Sequence, residues 1–336
     1  MDALSDILRV ARLSGGVFFN AEFSAPWCIA AQMAPNLCAP FLGASDHLIP
    51  YHYVIDGEMT VALPGEPHQK LRGGEVVLFP RNDLHLIGSD VDMPPTSAAD
   101  VILADGKAIK PSVRHGGGGK AAHMVCGFLG CDSDLTYPIV SALPSSMILR
   151  IEETPAADWI RSTFQYAARE GAEGQTGSTA LLSKLAELLF VEAVRQYVLS
   201  LPEDQSGWLA GLRDPAVSRA LALLHADVAR DWSVEELGRQ IGLSRSGLAD
   251  RFTRVIGMAP MHYLADWRLQ VAALRLRDTG DSLVRVAEEV GYESEAAFSR
   301  AFKKKFGSAP VTWRRSKAAS NSARQSTESD ASDTAS

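Results

Sequence analysis

Between residue 17 and about residue 90, apolar residues come in short runs broken by turn residues. Tyr51-His52-Tyr53-Val54-Ile55 leads through Asp56-Gly57 into Met59-Thr60-Val61-Ala62-Leu63, and Val76-Val77-Leu78-Phe79 lies between Gly73-Gly74 and Pro80. Runs rich in β-branched and aromatic residues, bounded by Gly and Pro, predict strands, and Asp-Gly between two of them predicts a hairpin. The expected unit is all-β, a barrel or sandwich. Residues 92–120 contain Pro94-Pro95 and the run His115-Gly116-Gly117-Gly118-Gly119, which predicts a mobile insertion without regular elements. Val125 to Leu129 then resumes a strand.

After Pro155 the apolar spacing becomes helical, over Asp158–Ala168 and again over Ser178–Leu201. In the second stretch Leu181, Leu185, Leu188 and Leu189 form an apolar stripe beside Glu192 and Arg195. That stripe fits a dimer seam, and it fits equally a helix packed on its own barrel. The pattern divides the chain into an all-β unit over residues 1–150, a helical segment and candidate dimerisation element over 151–201, a linker over 202–215, a helical domain over 216–316, and a tail over 317–336. The tail is mostly Ser, Thr, Ala and Asp with no large apolar residue, and it is expected to be disordered.

Within residues 216–316 one pattern occurs twice. Val234, Leu237 and Ile241 line a helix face, Gly238 is the small residue, Gly242 permits a turn, and Ser244 caps a second helix with Leu248, Phe252 and Val255 facing inward. The second copy has Ala287 at the small position, Gly291 at the turn and Phe298 and Phe302 as anchors, with a turn one residue longer. Each copy is a helix-turn-helix, and two of them about fifty residues apart are far more specific than one.

Charge sharpens this picture. The chain carries a net −7, yet residues 230–317 hold 16 Lys and Arg against 11 Asp and Glu, so positive charge is confined to the C-terminal domain. Such asymmetry points to one domain that meets phosphate.

Gly291-Tyr292-Glu293-Ser294, Phe298-Ser299-Arg300-Ala301-Phe302-Lys303, Phe306-Gly307, Pro310 and Trp313-Arg314-Arg315 resemble the signature of the AraC/XylS family of transcription regulators, over about residues 215–316. The resemblance implies a long helix joining the two motifs, which Pro260 to Asp278 fits. It implies base reading by Ser246, Ala249 and Asp250 on the first recognition helix and by Glu295, Ala296, Ser299 and Arg300 on the second. Arg300 can grip guanine in bidentate fashion and Glu295 can accept from cytosine, whereas Ala249 offers a methyl group and Asp250 repels phosphate. Arg245, Arg251, Arg254, Lys303, Lys304 and Lys305 suit phosphate contacts, which give affinity rather than specificity.

Gly74-Glu75-Val76-Val77-Leu78-Phe79-Pro80-Arg81-Asn82-Asp83-Leu84-His85 is similar to the second cupin motif, with Asn82 where glycine is usual. The opening MDALSDILR, Ser24-Ala25-Pro26-Trp27, the glycine run and Val125-Cys126-Gly127 resemble AraC regulators that carry a cupin sensor. Enzymatic cupins hold a metal through an HxH pair, a glutamate and a later histidine. Pro50 occupies the first of those positions before His52, Glu58 is displaced, His85 matches the last, and His47 is a candidate substitute. These four are candidate ligand-binding or metal residues, and two imidazoles are too few for a tight catalytic site, so no metal or other cofactor is expected.

Four cysteines in this length make no scaffold of disulfides. Cys28, Cys126 and Cys131 are candidates for redox sensing, with buried structural thiols as the other reading. No stretch approaches the roughly 20 apolar residues that span a bilayer, and MDALSDILRV lacks a basic run followed by an apolar one, so a cytoplasmic chain without membrane contact is expected.

The expected fold is multidomain: an N-terminal all-β cupin-like barrel with following helices, then an all-α double helix-turn-helix domain. The expected function is a non-enzymatic, dimeric transcription regulator that binds double-stranded DNA, works with RNA polymerase, and responds through its cupin domain to a small-molecule effector or a redox signal. The alternative is a metal-dependent cupin enzyme of dioxygenase type fused to a DNA-binding domain.

Overall fold

The structure, a computed structural model, describes residues 3–11, 13–33, 45, 47–104, 108, 109, 112–131, 139–151, 157–173, 178–202 and 205–318. The chain divides into two compact units. One gathers the described residues of 13–133 and 143–196, and the other those of 1–12, 134–142 and 197–318. The expected disordered tail lies outside the described residues from 319 onward. Among the described residues no helix is long and apolar enough to cross a membrane.

After helix α1 (Ala3–Ala11) come β1 (Leu13–Ser24), β2 (Cys28–Ala31), β3 (His47–Asp56), β4 (Glu58–Ala62), β5 (Gln69–Arg72), β6 (Glu75–Leu78) and β7 (His85–Gly88). Next are β8 (Thr96–Ser97), α2 (Ala98–Ile102), β9 (Leu103–Ala104), β10 (Ala108–Ile109), β11 (Ser112–Gly116), β12 (Ala121–Cys131) and β13 (Met147–Arg150), then helices α3 (Ala157–Glu173) and α4 (Ser178–Ser200). The larger sheet runs β11-β1-β12-β3-β6-β13 and the second β5-β4-β7-β2-β8. Alternate residues of the strands fill one core: Phe19, Ala21 and Phe23 from β1, Met59 and Val61 from β4, Met124, Cys126 and Phe128 from β12. Trp27 and Phe79, 1% and 0% exposed, close the interior.

Two expectations fail here. Asp56-Gly57 does not close a hairpin: β3 already has β12 on one edge and β6 on the other, so the chain crosses to the second sheet, where β4 pairs with β5 and β7. The described part of 92–120 is not without regular elements. β11 pairs in parallel with β1, and Gly117 and Gly119 donate to Ser24 O and Ala25 O at 2.9 and 2.7 Å. The glycines are there for close packing, since a Cβ on Gly116, at φ +129°, would fall 1.9 Å from Ser24 O.

Outside this sheet, α3 lies against the barrel with Phe164 stacked on Tyr53 at 4.2 Å. On α4 the buried face is Ala186, Phe190, Ala193 and Val194, whereas Leu181 and Leu188, seven residues apart, are 42% and 50% exposed. The leucine stripe is thus divided: Leu181 and Leu188 face solvent, Leu185 is half-buried, and Leu189 lines the cleft against the sheet beside Phe190.

The helical unit continues with α5 (Trp208–Gly211), α6 (Pro215–Ala226), α7 (Val234–Ile241), α8 (Arg245–Ile256), α9 (Pro260–Asp278), α10 (Leu283–Glu289) and α11 (Glu295–Phe306). Part of the stretch read as a linker is packed: Leu209 is buried, and Gly207 N–H donates to Val255 O at 2.7 Å. Each motif helix starts on a serine whose hydroxyl accepts from a backbone N–H three residues on: Ser233, Ser244, Ser282 and Ser294. Such a cap stabilises a helix by about 1 kcal/mol. Leu237, Leu248, Phe252 and Ile256 fill the first motif, with Ile256 rather than the expected Val255 as the inner residue. Phe298, Phe302, Val286, Val290 and Trp313 fill the second. α1 joins this unit, packing on α6 and α9, and its Ala3 and Ile7 are buried.

Candidate nucleic-acid interface

Helical spacing sends one face of α8 and α11 into the core and leaves the other to solvent. On α8, Arg245, Ser246, Asp250 and Arg254 are exposed and Ala249 is half-buried. On α11, Glu295, Ala296, Arg300, Lys303 and Lys304 are exposed and Ser299 is half-buried. Residues three and four apart share a side, so each helix presents its candidates as one row.

The candidate cations separate by partner. Arg251 Nε sits 2.8 Å from Asp214 Oδ2, and the same carboxylate accepts from Ala216 and Val217 N–H at the start of α6. Those hydrogen bonds and the arginine hold the Asp214 carboxyl below its usual range, against the opposing effect of burial. Lys305 Nζ lies 3.2 Å from Asp266 Oδ2, which ties α11 to α9. Arg251 and Lys305 thus brace the domain. Arg245, Arg254, Arg300, Lys303 and Lys304 meet no carboxylate among the described residues and remain available to an anion.

The barrel histidines form a different site. His47 Nε2 lies 2.6 Å from Pro80 O, and Glu58 is held outside by Lys70 and Lys120 at 3.1 and 3.3 Å, which lower its pKa. Only His52 and His85 meet, Nε2 to Nε2 at 3.4 Å. His85 Nδ1 is 2.8 Å from Asp83 O and must donate there, so its Nε2 accepts from His52, which leaves His52 Nδ1 a buried lone pair without a partner. Burial lowers the pKa of His52 to about 3 and that of His85 to about 4, so both rings are neutral at neutral pH. The four candidate ligands are not gathered, and among the described residues no group of three or more His, Cys, Asp or Glu is placed to hold a metal. These residues do not fit the metal of an enzymatic cupin. Asn82 takes φ +55° where that motif usually has glycine, its amide donating to Met33 O at 2.8 Å.

Cys28 and Cys126 are buried free thiols, and Cys131 is buried. Burial raises the pKa of Cys126 far above the usual thiol value, and burial followed by Asp90 raises that of Cys28.

The profile of the Cupin family matches residues 2–199, and that of a helix-turn-helix domain matches residues 237–316. The chain belongs to the AraC family of transcription regulators, with a cupin domain in its N-terminal half. It is 28% identical over 323 residues to the HTH-type transcriptional regulator AlkR of Acinetobacter baylyi, covering 94% of this chain and 99% of that protein. It is 26% identical over 315 residues to the RCS-specific HTH-type transcriptional activator RclR of Escherichia coli, covering 94% and 97%. A solved AraC-type DNA-binding domain protein from Chromobacterium violaceum covers 32% of this chain and 95% of its own at 26% identity, with a TM-score of 0.31.

In the AraC-type domain the face of α8 extends further than sequence reasoning placed it. Thr253 is exposed one turn beyond Asp250, on the row begun by Ser246, and the i, i+7 spacing was the signal that could have found it. Arg268 was missed for another reason: its partners are the main-chain oxygens of Val228 and Arg230.

Proposed function

We propose that this AraC-family chain regulates transcription as a homodimer, reading DNA mainly through α11, while its cupin domain answers a small-molecule effector. The observation that carries the reading is the row Glu295, Ala296, Ser299, Arg300, Lys303 and Lys304, in which the three cations meet no carboxylate among the described residues. α8 adds phosphate contacts through Arg245 and Arg254 around the weak readers Ser246, Ala249 and Asp250. The bound form is double-stranded DNA, and RNA polymerase is the proposed downstream partner.

The barrel interior is filled by its own side chains. An apolar cleft lies instead between the sheet and helices α3 and α4, lined by Tyr51, Leu78, Leu129, Ile160, Phe164 and Phe190. That cleft holds about 10 Å³, room for no more than a water molecule, so the effector is proposed only as a small molecule. A redox signal through Cys28, Cys126 or Cys131 is disfavoured, because all three thiols are buried and burial raises the pKa of Cys28 and Cys126, which leaves those two little thiolate, the reactive form. A dioxygenase is disfavoured by the scattering of His47 and Glu58 away from His52 and His85. Leu181 and Leu188, with Trp159 and Tyr166 on α3 at 41% and 40% exposure, support the homodimer.

The test is binding-site selection with the full chain, followed by titration of a selected duplex at rising salt. Selection of one sequence with affinity falling steeply with salt is expected, because each cation that meets a phosphate displaces a counterion. Binding that ignores salt, or none at low salt, would overturn the reading.

A further inference from the structure

Three segments of the helical unit converge on the Arg268 side chain. From α9 it donates through Nε to Val228 O at 2.9 Å and through Nη2 to Arg230 O at 2.8 Å, with Ala229 O at 3.5 Å. Those carbonyls belong to the turn between α6 and α7, which leads into the first motif. The turn of the second motif closes on the same point. Gly291 takes φ +82°, and a Cβ there would sit 2.6 Å from Ala229 O and 2.8 Å from Arg268 Nη2. The backbone that leads into the first motif and the turn of the second therefore approach closely beside a single guanidinium, with no room for a side chain at 291.

Other links between α9 and the second motif are flexible by comparison. Asp266 reaches Lys305 on α11 at 3.2 Å and Arg275 reaches Glu289 on α10 at 3.5 Å, each an ion pair between side chains more than a fifth exposed. A planar guanidinium that holds two carbonyls fixes both distance and direction, which an ammonium cannot. Two recognition helices in successive groove segments need that rigidity: one base pair of added spacing moves the second segment by about 3.4 Å and rotates it around the helix axis.

We propose that Arg268 is a positioning residue that locks the two helix-turn-helix motifs at one separation, so that the chain accepts only one spacing between the two DNA segments it reads. The proposal rests on the DNA-binding reading above. Arg268 touches no base; it acts through the 228–230 turn and through the space that Gly291 leaves. The glycine cannot be enlarged without displacing either Ala229 or the guanidinium.

The test uses the full chain and a duplex recovered by its own binding-site selection, with derivatives carrying one base pair inserted or deleted midway between the two footprinted segments. The unsubstituted chain should lose about tenfold or more in affinity on either derivative, the value of one good base contact. Arg268→Ala should bind the parent duplex more weakly and lose only about threefold or less between parent and derivative. Arg268→Lys, which keeps the charge and the aliphatic stem, should resemble the alanine variant and carries the test where Arg268→Ala does not fold. The readout is a ratio of affinities within one protein, so a smaller folded fraction cancels. A spacing penalty in both variants equal to that of the unsubstituted chain would overturn the proposal. Failure of the unsubstituted chain to bind any selected duplex would overturn the DNA-binding reading and this proposal with it.

Discussion

The two helix-turn-helix motifs share a pattern and differ in where their polar side chains point. In the first half, polarity turns inward. Arg251 braces Asp214 at the head of α6, and His225 lies buried with its ring 4.0 Å from that of Trp267 and its Nε2 2.7 Å from Tyr263 OH. Tyr263 OH also accepts from Trp208 Nε1 at 3.0 Å, so its own proton goes to His225 Nε2, and the Nδ1–H faces Asp6 at 3.7 Å. In the second half the interior is aromatic, with Phe298, Phe302, Phe306 and Trp313 in contact, and the cations Arg300, Lys303 and Lys304 face outward. A repeated fold pattern therefore does not imply repeated work: under the proposed function one copy anchors and the other reads.

The largest expected effect is on the reading side. Arg300→Ala should cost about 1–3 kcal/mol on a selected duplex, concentrated at one base pair, as measured by titration against duplexes changed at single positions. An equal loss at every position would make Arg300 a phosphate contact and weaken the contrast.

Acid should separate the halves next. Burial lowers the His225 pKa from 6.5 to about 3, so between those values the unfolded chain takes up a proton that the folded chain refuses. Stability of the first half is complete above pH 6.5 and falls as the pH is lowered, by about 1 kcal/mol over the first unit. Hydrogen exchange at pH 7 and pH 5.5 should show α6 to α8 losing protection before α10 and α11. Equal loss in both halves would remove the distinction between a polar and an aromatic interior.

Smaller effects should distinguish two basic residues of similar appearance. Lys304→Ala should weaken all sequences alike and lower the salt slope by about 1, with the melting point unchanged. Arg251→Ala should leave the salt slope alone and lower stability by about 0.5 kcal/mol, the worth of a half-exposed ion pair. Reversed outcomes in titration and thermal unfolding would mean that the ion pair with Asp214 does not decide which cation is free.

Much of this was legible in the sequence because it is local. The motif helices follow from apolar spacing and from Ser233, Ser244, Ser282 and Ser294, and the outward rows follow from the same period. What spacing does not carry is pairing over distance. Asp56-Gly57 has hairpin chemistry, yet β12 and β6 already occupy both edges of β3. The glycine run at 116–119 reads as looseness until Ser24 and Ala25 are placed against it. Arg251 is as basic as Arg254, and only Asp214, 37 residues away, tells them apart. Arg268 gives no sequence signal at all, because carbonyl oxygens belong to every residue.

The central claim is that α11 sets sequence preference and α8 holds the domain on the backbone. It is tested most directly by binding-site selection with full-length Arg300→Ala and Asp250→Ala in parallel with the unsubstituted chain. Arg300→Ala should relax the recovered motif at one base pair, while Asp250→Ala, which removes a charge that repels phosphate, should recover the unsubstituted motif with non-specific affinity equal or higher. If Asp250→Ala erases the motif and Arg300→Ala leaves it intact, the reading helix is α8 and the account is wrong.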